Sequence, residues 1–308
     1  MLNTVTEINE ASKRPNSLIE YSEKHFLTEV YDVAQKIADN DDIKIVALAG
    51  PSGSGKTTTA HILCDRLGLI GEKTTVVSLD DFYLEREKLP KLPDGTTDYE
   101  SVDTLNIPLI NKCFNEIIAT GKTMLPRFDF KNGVSIPDDR LADITDRGII
   151  IAEGLHALNP IITDLVPQKN IFKIYISVNC SIEDSFGEQL LSSRLIRLIR
   201  RTIRDSIFRN SGLEKTLSMW NNVVEGERKY LYPYKNSADA KIRTLHSYEP
   251  LIYRDKFLEI VKDLKPEYPN YEYVLRAANA IEKFESMDSA LIPKKSLVRE
   301  FIGDGKYN

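Results

Sequence analysis

The stretch GPSGSGKTT at residues 50–58 decides the fold, because it fits the phosphate-binding pattern G-x-x-x-x-G-K-[ST] at every fixed position. Glycines let such a loop curl until several backbone N–H groups point at one anion. Lys56 is placed to reach the β- and γ-phosphates of a nucleoside triphosphate, and the Thr57 hydroxyl is placed to hold Mg²⁺. The candidate ATP-binding residues of this phosphate-binding loop (P-loop) are Gly50, Ser52, Gly53, Ser54, Gly55, Lys56, Thr57 and Thr58.

The flanking sequence predicts a strand before the loop and a helix after it. Residues 43–49 (IKIVALA) form a short apolar run, whereas residues 57–67 (TTTAHILCDRL) place apolar side chains at helical spacing. A strand, a Gly-rich loop and a helix N-terminus in this order are the usual setting of a phosphate site. This context favours a real P-loop over a Gly-rich turn that matches by chance.

Length and composition limit the classes of protein that remain. A chain of 308 residues suits one large α/β domain with appendages, and a hydrophobic content of 42% is enough for a core. The net charge of −5 gives no overall attraction for nucleic acid, which is therefore not an expected partner. No stretch approaches the ~18 apolar residues of a membrane span, so no membrane partner is expected either. We expect a cytoplasmic protein, and a homo-oligomer stays open.

Apolar runs alternate with helical patterns from residue 43 to residue 245. This order predicts a three-layer α/β/α fold of the P-loop NTPase class, with a mostly parallel five-stranded sheet. The predicted strands are residues 43–49, 74–79, 148–152, 171–178 and 240–245. The predicted helices include one that begins at a Ser17/Glu20 capping box, the P-loop helix, residues 104–120 and residues 271–287.

Acidic residues follow two of the predicted strands. Asp80 and Asp81 come after the second strand, and Glu153 comes after the third. Ligands of open parallel sheets collect beyond the carboxyl ends of the strands, so these carboxylates are expected near the γ-phosphate. Phosphoryl transfer needs a metal and a carboxylate that orients or deprotonates the acceptor hydroxyl. We assign Asp80 as this base and Glu153 to the metal, directly or through water; the alternative is that each carboxylate caps a helix or is solvated.

A row of arginines follows helical spacing. Arg194, Arg197, Arg201 and Arg204 share one face of a predicted helix, and Arg200 and Arg209 add to the cluster. No acidic residue lies between Arg194 and Arg204, which predicts an unpaired guanidinium row that binds an anion from a mobile lid at about residues 185–215. A solvated or RNA-facing helix is the alternative, but no aromatic residue interleaves with the arginines.

Aromatic and polar residues in two further segments could form the pocket of a phosphate acceptor. Ring faces would come from Tyr83, Phe128 and Phe130. Hydrogen bonds to hydroxyl groups would come from Asp98, Arg127 and Asp129. By spacing alone, residues of these types are more often core aromatics and surface charges than parts of a binding pocket.

Together these motifs resemble the uridine kinase/phosphoribulokinase family of P-loop kinases. Six segments occur in that family's order with similar gaps: residues 50–58, 78–83, 97–101, 126–130, 151–158 and 200–205. The chain is most similar to the uridine kinase-like module that follows threonyl-tRNA-synthetase-like (TGS) domains in bacterial nucleoside kinases. Residues 217–220, 224–227 and 296–303 also resemble that subgroup. Only about forty residues precede the first predicted strand, so we interpret the chain as a free-standing kinase module or a fragment of one.

The resemblance implies ATP and Mg²⁺ as cofactors and a role for individual residues. Asp80 would act as the base on a primary ribose hydroxyl, Tyr83 and Asp98 would position the sugar, and Phe128 and Phe130 would flank the base. The implied catalytic residues are Asp80, Lys56 and Arg204; Arg201 would lie near ATP; and the candidate substrate-binding residues are Tyr83, Asp98, Arg127, Phe128, Phe130, Arg204 and Arg209. The sequence departs from the pattern at residues 131–133 (KNG), where uridine kinases have a histidine that reads the pyrimidine edge.

We therefore expect a kinase that transfers the γ-phosphoryl group of ATP to the 5′-hydroxyl of a nucleoside, uridine or cytidine for example. Two alternatives stay open: a kinase of another hydroxyl metabolite, such as a sugar phosphate or a pantothenate-like alcohol, and a non-catalytic ATP-binding regulatory or RNA-associated protein. The expected domains are a flexible N-terminus at residues 1–16, a P-loop kinase domain at residues 17–249, and a helical C-terminal extension at residues 250–308 packed on the core.

Overall fold

The computed structural model describes residues 2–145, 148–209 and 211–307. Its strands are β1 (Ile45–Ala49), β2 (Lys73–Ser78), β3 (Lys122–Asp129), β4 (Val134–Asp143), β5 (Gly148–Gly154), β6 (Ile171–Ser177), β7 (Ile182–Glu183), β8 (Gln189–Leu191) and β9 (Ala240–Arg243). Its α-helices are α1 (Val5–Ser12), α2 (Pro15–Ala38), α3 (Lys56–Ile70), α4 (Ile107–Thr120), α5 (Pro160–Thr163), α6 (Ser193–Phe208), α7 (Leu213–Tyr230), α8 (Glu249–Val261), α9 (Tyr271–Ile281) and α10 (Arg299–Ile302).

Five strands form the central sheet in the order β2-β5-β1-β6-β9, and all of its strand pairings are parallel. Every residue of β1 and β5 is buried, as expected of inner strands that are covered on both faces. The predicted α/β/α fold of the P-loop class is confirmed. The observed strand ends differ from the predicted ones by no more than two residues.

Two apolar cores cover the two faces of the sheet. Successive side chains of a strand point to opposite faces, so Val46 and Leu48 of β1 join one core while Ile45, Ala47 and Ala49 join the other. The first core also holds α2, α3, α6 and the C-terminal helices. The second core packs α4 and the hairpin β3–β4 against the opposite face. The helix and the hairpin thus lie on the same side of the sheet.

The N-terminal segment differs from its prediction. Residues 5–12 form α1, which begins with a capping box between Thr4 and Glu7 and buries Ile8 in the core, so this segment is not loose in the structure. Helix α2 begins at Pro15, and the proposed cap Ser17 lies inside it. Proline suits the first helical position because its missing N–H would have no partner there.

The aromatic and charged segment at residues 125–133 belongs to an antiparallel hairpin that the sequence did not predict. Strand β3 pairs with β4 along most of its length, and the ladder has an irregularity at Pro126. Strand β4 is largely exposed and polar, which hides the alternation typical of a strand. Strand β3 brings Phe128 to the turn after β2, where its backbone N–H donates to Asp81 Oδ1 over 3.3 Å. We call the space between this turn and the P-loop the cleft.

The C-terminal residues are helical and packed against the core. Buried side chains from this segment include Tyr253, Phe257, Val274 and Phe301. Helix α9 ends at Ile281, six residues before the predicted end at residue 287, and α8 begins at Glu249, so the proposed boundary at residue 250 falls inside it. The division into domains stays a prediction. Among the described residues, no helix is both long enough and apolar enough to cross a membrane.

Candidate active site

The P-loop connects β1 to α3 and has the backbone shape of an anion cradle. Gly53 and Gly55 have left-handed φ angles of +73° and +87°, which side chains other than glycine rarely adopt. Gly55 is the N-cap of α3 and supplies no side-chain cap. The amides of the first helical turn therefore point into the cleft, where the helix dipole favours an anion. This geometry fits the phosphate groups of a nucleotide.

Lys56 and Thr57 begin α3 and meet Glu153 at the end of β5. Lys56 Nζ donates to Pro51 O over 3.4 Å, and Thr57 Oγ1 donates to Glu153 Oε1 over 3.3 Å. Burial raises the pKa of Glu153 to about 7, although the nearby Lys56 charge opposes the shift. The parallel register places Glu153 beside Leu48 of β1 and Ser78 of β2. The predicted convergence of the P-loop and Glu153 is therefore present.

The oxygens of Thr57 and Glu153 fit a magnesium ion that is shared with phosphate groups. Mg²⁺ at nucleotide sites is held by one or two protein oxygens, by the phosphates and by water. Within residues 2–145, 148–209 and 211–307, no group of three or more His, Cys, Asp or Glu side chains is placed to hold a metal without such help. The two oxygens of Thr57 and Glu153 suit a metal that takes its other ligands from phosphate groups and water.

Asp80 lies on a short 3₁₀ turn, Leu79–Phe82, directly after β2. Solvent reaches its side chain, but the surrounding protein removes enough bulk water to raise the pKa of the carboxyl group. The charges of Lys56 and Arg209 oppose this shift, which places both cations near the carboxylate. Asp81 points elsewhere, because its Oδ1 accepts the backbone N–H of Phe128 over 3.3 Å. Of the two aspartates, Asp80 is the one whose pKa the Lys56 charge affects.

The three predicted aromatic residues form one cluster. Tyr83 and Phe130 each lie edge-on to Phe128, with ring centroids 5.6 and 4.9 Å from it. The Tyr83 hydroxyl donates to Tyr99 O over 3.0 Å, and the Asp80 charge acts on the Tyr83 hydroxyl. Phe128 is buried, whereas 57% of Phe130 is exposed. The cluster thus combines a solvent-facing ring, Phe130, with the half-buried ring of Tyr83, on which the Asp80 charge acts.

The polar residues proposed for the same pocket behave differently from one another. Asp98 Oδ1 accepts the backbone N–H groups of Glu100 and Ser101 over 3.1 and 3.2 Å, so part of this carboxylate shapes the loop. Arg127 alternates with Phe128 along β3, lies on the exposed face and pairs with Asp139 over 3.2 Å. The structure does not bring Arg127 to the aromatic cluster. Asp129 stabilises the turn of the hairpin by accepting the N–H groups of residues 131 and 132.

The prediction of an unpaired guanidinium row is wrong. Arg197 and Glu227 of α7 form a buried pair at 2.5 Å, and Arg200 pairs with the fully buried Glu249 of α8. Arg201 Nε lies 3.3 Å from Asp205, the acidic residue at the end of the row. The partners of Arg197 and Arg200 come from other helices, so the spacing within α6 could not reveal them.

The same arginines of α6 donate hydrogen bonds to the P-loop. Arg197 Nε donates to Ser52 O over 2.9 Å, Arg200 Nη1 donates to Gly53 O over 3.0 Å, and Arg201 Nη1 donates to Ser52 Oγ over 2.9 Å. These bonds fix the loop in the shape that its glycines permit. Arg201, which the resemblance implied to lie near ATP, therefore contacts the P-loop.

The remaining arginines lie towards the end of α6. Arg204 is half-buried and donates two hydrogen bonds to Asp205 Oδ1, over 3.0 and 2.8 Å. Arg209 is exposed and lies 3.6 Å from Asp205. Burial raises the pKa of Asp80, and the Arg209 charge partly opposes that rise. Helix α6 itself is packed into the core rather than lying loosely over the cleft. The mobility of the lid stays a prediction, and Asn210 within it lies outside the described residues.

Two residues of the cleft were not among the predicted site residues. Burial raises the pKa of Glu100 to about 7, with Arg201 opposing and Asp80 adding to the shift. Burial lowers the pKa of His156 to about 4, and its ring stacks edge-on against Tyr230 at 5.4 Å. Both lie in segments that carried the resemblance, residues 97–101 and 151–158, so their neighbourhood was the available signal.

Comparison with known proteins shows the family of this chain. Residues 45–249 match the model of the phosphoribulokinase/uridine kinase family, which is more than half of the chain. The fold and the site define a small-molecule kinase with a P-loop and a hydroxyl acceptor. The chain belongs to the phosphoribulokinase/uridine kinase family.

Individual relatives are similar at modest identity. A uridine kinase of Ureaplasma parvum is 27% identical over 201 residues, which is 64% of this chain and 86% of that protein. A uridine kinase of Halobacterium salinarum is 24% identical, over 64% of this chain and 78% of that protein. A solved structure described as a possible uridine kinase from Bacillus stearothermophilus has a TM-score of 0.47 and 17% identity, over 70% of this chain and 97% of that chain.

Proposed function

We propose that this chain transfers the γ-phosphoryl group of ATP, with Mg²⁺, to the 5′-hydroxyl of a nucleoside such as uridine or cytidine. The observation that carries the proposal is the position of Asp80. Its carboxylate interacts electrostatically with Lys56 of the P-loop, with Tyr83 of the aromatic cluster and with Glu153. Asp80 thus lies between a phosphate site and a pocket with aromatic walls. The similarity to uridine kinases supports the same acceptor class.

Each residue has a defined part in the transfer. The P-loop amides and Lys56 bind the phosphates, and Thr57 and Glu153 would hold Mg²⁺, which neutralises charge on the phosphate oxygens when bound. Asp80 accepts the proton of the acceptor hydroxyl while the oxygen of that hydroxyl attacks the γ-phosphorus. The bond from the γ-phosphorus to the bridging oxygen breaks, and ADP leaves. Arg209, whose charge already reaches Asp80, stabilises the transferring group.

The pocket favours an uncharged acceptor with a flat ring. Tyr83, Phe128 and Phe130 offer ring faces and edges for stacking. Three carboxylates act electrostatically on the Tyr83 hydroxyl, those of Asp80, Asp98 and Glu100. The Asp80 charge also acts on Glu100, so the acceptor side of the cleft is acidic. Carboxylates accept hydrogen bonds from sugar hydroxyls and repel a phosphorylated acceptor. A nucleoside satisfies both conditions better than a sugar phosphate does.

A substrate panel tests the proposal. The purified chain is incubated with ATP and Mg²⁺ and with nucleosides, deoxynucleosides, sugar phosphates and pantothenate, while ADP release is followed. We expect ADP release that depends on a pyrimidine nucleoside and a product phosphorylated at its 5′ position. Release that responds only to a sugar phosphate or to pantothenate would contradict the nucleoside assignment. ATP binding without stimulation by any acceptor would favour a non-catalytic protein.

A further inference from the structure

The C-terminal end of the chain crosses the P-loop. We define residues 296–307 as the C-terminal strap. Leu297 packs directly on Gly55, since a Cβ added to that glycine would lie 2.6 Å from Leu297 Cδ1. Glu300 Oε2 accepts a hydrogen bond from Thr58 N over 3.1 Å, across 242 residues of sequence. A carboxylate from the far end of the chain is therefore bound at the first turn of α3.

The amide that Glu300 occupies belongs to the phosphate site. Thr58 is the third residue of α3, and the backbone N–H groups of a first helical turn have no partner within the helix. In a P-loop these N–H groups bind the α- and β-phosphates. A carboxylate oxygen carries the same sign of charge as a phosphate oxygen and accepts the same hydrogen bond. Glu300 thus takes a donor that a bound nucleotide would use.

The rest of the strap is anchored independently of Glu300. Ser296 Oγ lies 2.9 Å from the Tyr248 hydroxyl, and the buried Phe301 ring lies 4.8 Å from the Arg200 guanidinium carbon. Further along, Lys306 Nζ and the Tyr307 hydroxyl both donate to Asp65 Oδ2, over 2.5 and 2.7 Å. Because these contacts fix the backbone on both sides, only the Glu300 side chain needs to rotate to release the Thr58 amide.

The Glu300 charge also reaches the catalytic side of the cleft. It contributes to the raised pKa of Glu153, after the larger effect of burial. A negative charge at this position opposes the entry of a second anion at the same amide. The strap therefore covers the P-loop and also places an anion, the Glu300 carboxylate, at the Thr58 amide.

We propose that Glu300 is a built-in competitor of the phosphate donor, which holds the Thr58 amide in the free protein and yields it to a nucleotide phosphate. The proposal rests on the proposed function, because it takes the P-loop as the donor site. One anion replaces another, and no covalent bond changes. Glu300 thereby sets the affinity for the donor, and the other contacts of the strap keep the carboxylate within reach.

The sign of a mutational effect distinguishes competition from a merely structural role. Titration calorimetry would measure Mg²⁺–ATP and Mg²⁺–ADP binding to the wild type, Glu300→Gln and Glu300→Ala, and to Glu267→Gln, which changes an exposed carboxylate between α8 and α9. Losing a competing charged hydrogen bond should tighten binding to Glu300→Ala about tenfold, or about 1.4 kcal/mol, with a smaller gain for Glu300→Gln. Glu267→Gln should bind like the wild type.

The outcomes separate this inference from the function on which it rests. If the wild type binds the nucleotide and the folded Glu300 variants bind it no more tightly, the competitor role is overturned and the proposed kinase function stands. Nucleotide binding to neither the wild type nor the variants overturns both. Thermal unfolding reports whether each variant is folded, and the Thr58 amide in ¹⁵N NMR gives a second readout. The chemical shift of the Thr58 amide should change when ATP is added to the wild type. In Glu300→Ala it should differ from that of the wild type even without nucleotide.

Discussion

Arg200 and Glu249 form a bidentate ion pair inside the protein: Nε and Nη2 of the arginine donate to the two carboxylate oxygens over 2.8 and 2.6 Å. Both side chains are fully buried. Arg200 also donates to Gly53 O of the P-loop and to Thr244 O at the end of β9. The pair therefore links α6 and α8 to the phosphate site, and its loss should affect both stability and nucleotide binding.

Removing one partner of this pair should destabilise the protein strongly. Arg200→Ala leaves the Glu249 carboxylate buried without its bidentate partner, and breaking a buried ion pair in this way costs about 3–5 kcal/mol in comparable cases. Arg228 and Glu225 form an exposed pair with side-chain exposures of 72% and 63%, so Arg228→Ala should cost at most about 1 kcal/mol. Urea unfolding of both variants measures the difference. Equal losses for the two would contradict the structural role of Arg200.

Stability should fall at alkaline pH because of His246. Burial alone would lower the pKa of this fully buried side chain, but Glu23 and Glu249 outweigh burial and raise the pKa to about 9. A folded-state pKa above the unfolded value of about 6.5 means that the stabilisation is complete below pH ~6.5 and is lost as pH rises through about 9. Urea unfolding between pH 6 and 10 should show this decline. His246→Gln should flatten it, and an unchanged slope in that variant would contradict the assignment.

Two glycines of α3 and its cap should respond in opposite ways to alanine. Gly55→Ala imposes a side chain at φ +87° and pushes a Cβ to 2.6 Å from Leu297, so the melting temperature and ATP affinity should both fall. Gly68 lies on the exposed side of the helix with nothing within 4 Å of an added Cβ. Gly68→Ala should therefore gain about 0.5–1 kcal/mol. Thermal unfolding tests the pair, and a tolerated Gly55→Ala would refute the tight packing of the strap on the loop.

Glu153→Gln should raise the Mg²⁺ concentration needed for turnover. The amide keeps the size of the side chain and its contact with Thr57 but loses the charge that favours a cation. We expect a shift of roughly 10- to 100-fold, the range seen when a group that supports a metal site is changed. Glu272→Gln, on the exposed face of α9, is the matched control. Identical Mg²⁺ titrations of the two variants would remove Glu153 from the metal site.

Local patterns in the sequence predicted the parts of the structure that depend on neighbouring residues. The P-loop, the five sheet strands and the carboxylates Asp80 and Glu153 all follow from apolar runs and from what stands at their ends. The hairpin β3–β4 was missed because Pro126 and the charges of β4 obscure the alternation. The hairpin and α4 pack on the same face of the sheet, and such tertiary contacts leave no local pattern in the sequence.

Contacts between distant residues account for the main errors. Arg197 and Arg200 have their carboxylate partners 30 and 49 residues away, on α7 and α8, so both arginines look unpaired when α6 is considered alone. The contact of Glu300 with Thr58 spans 242 residues. Pairings of this kind depend on the topology of the sheet and on how the C-terminal helices return to the P-loop.

The variant Asp80→Asn tests whether Asp80 is the base of a phosphotransfer reaction. ATP affinity and acceptor-dependent ADP release would be measured in parallel for the wild type and this variant. We expect the variant to bind ATP within about twofold of the wild type and to turn over about 10²- to 10⁴-fold more slowly, the usual contribution of a general base. Turnover that survives in Asp80→Asn at the level of the wild type would contradict this role of Asp80.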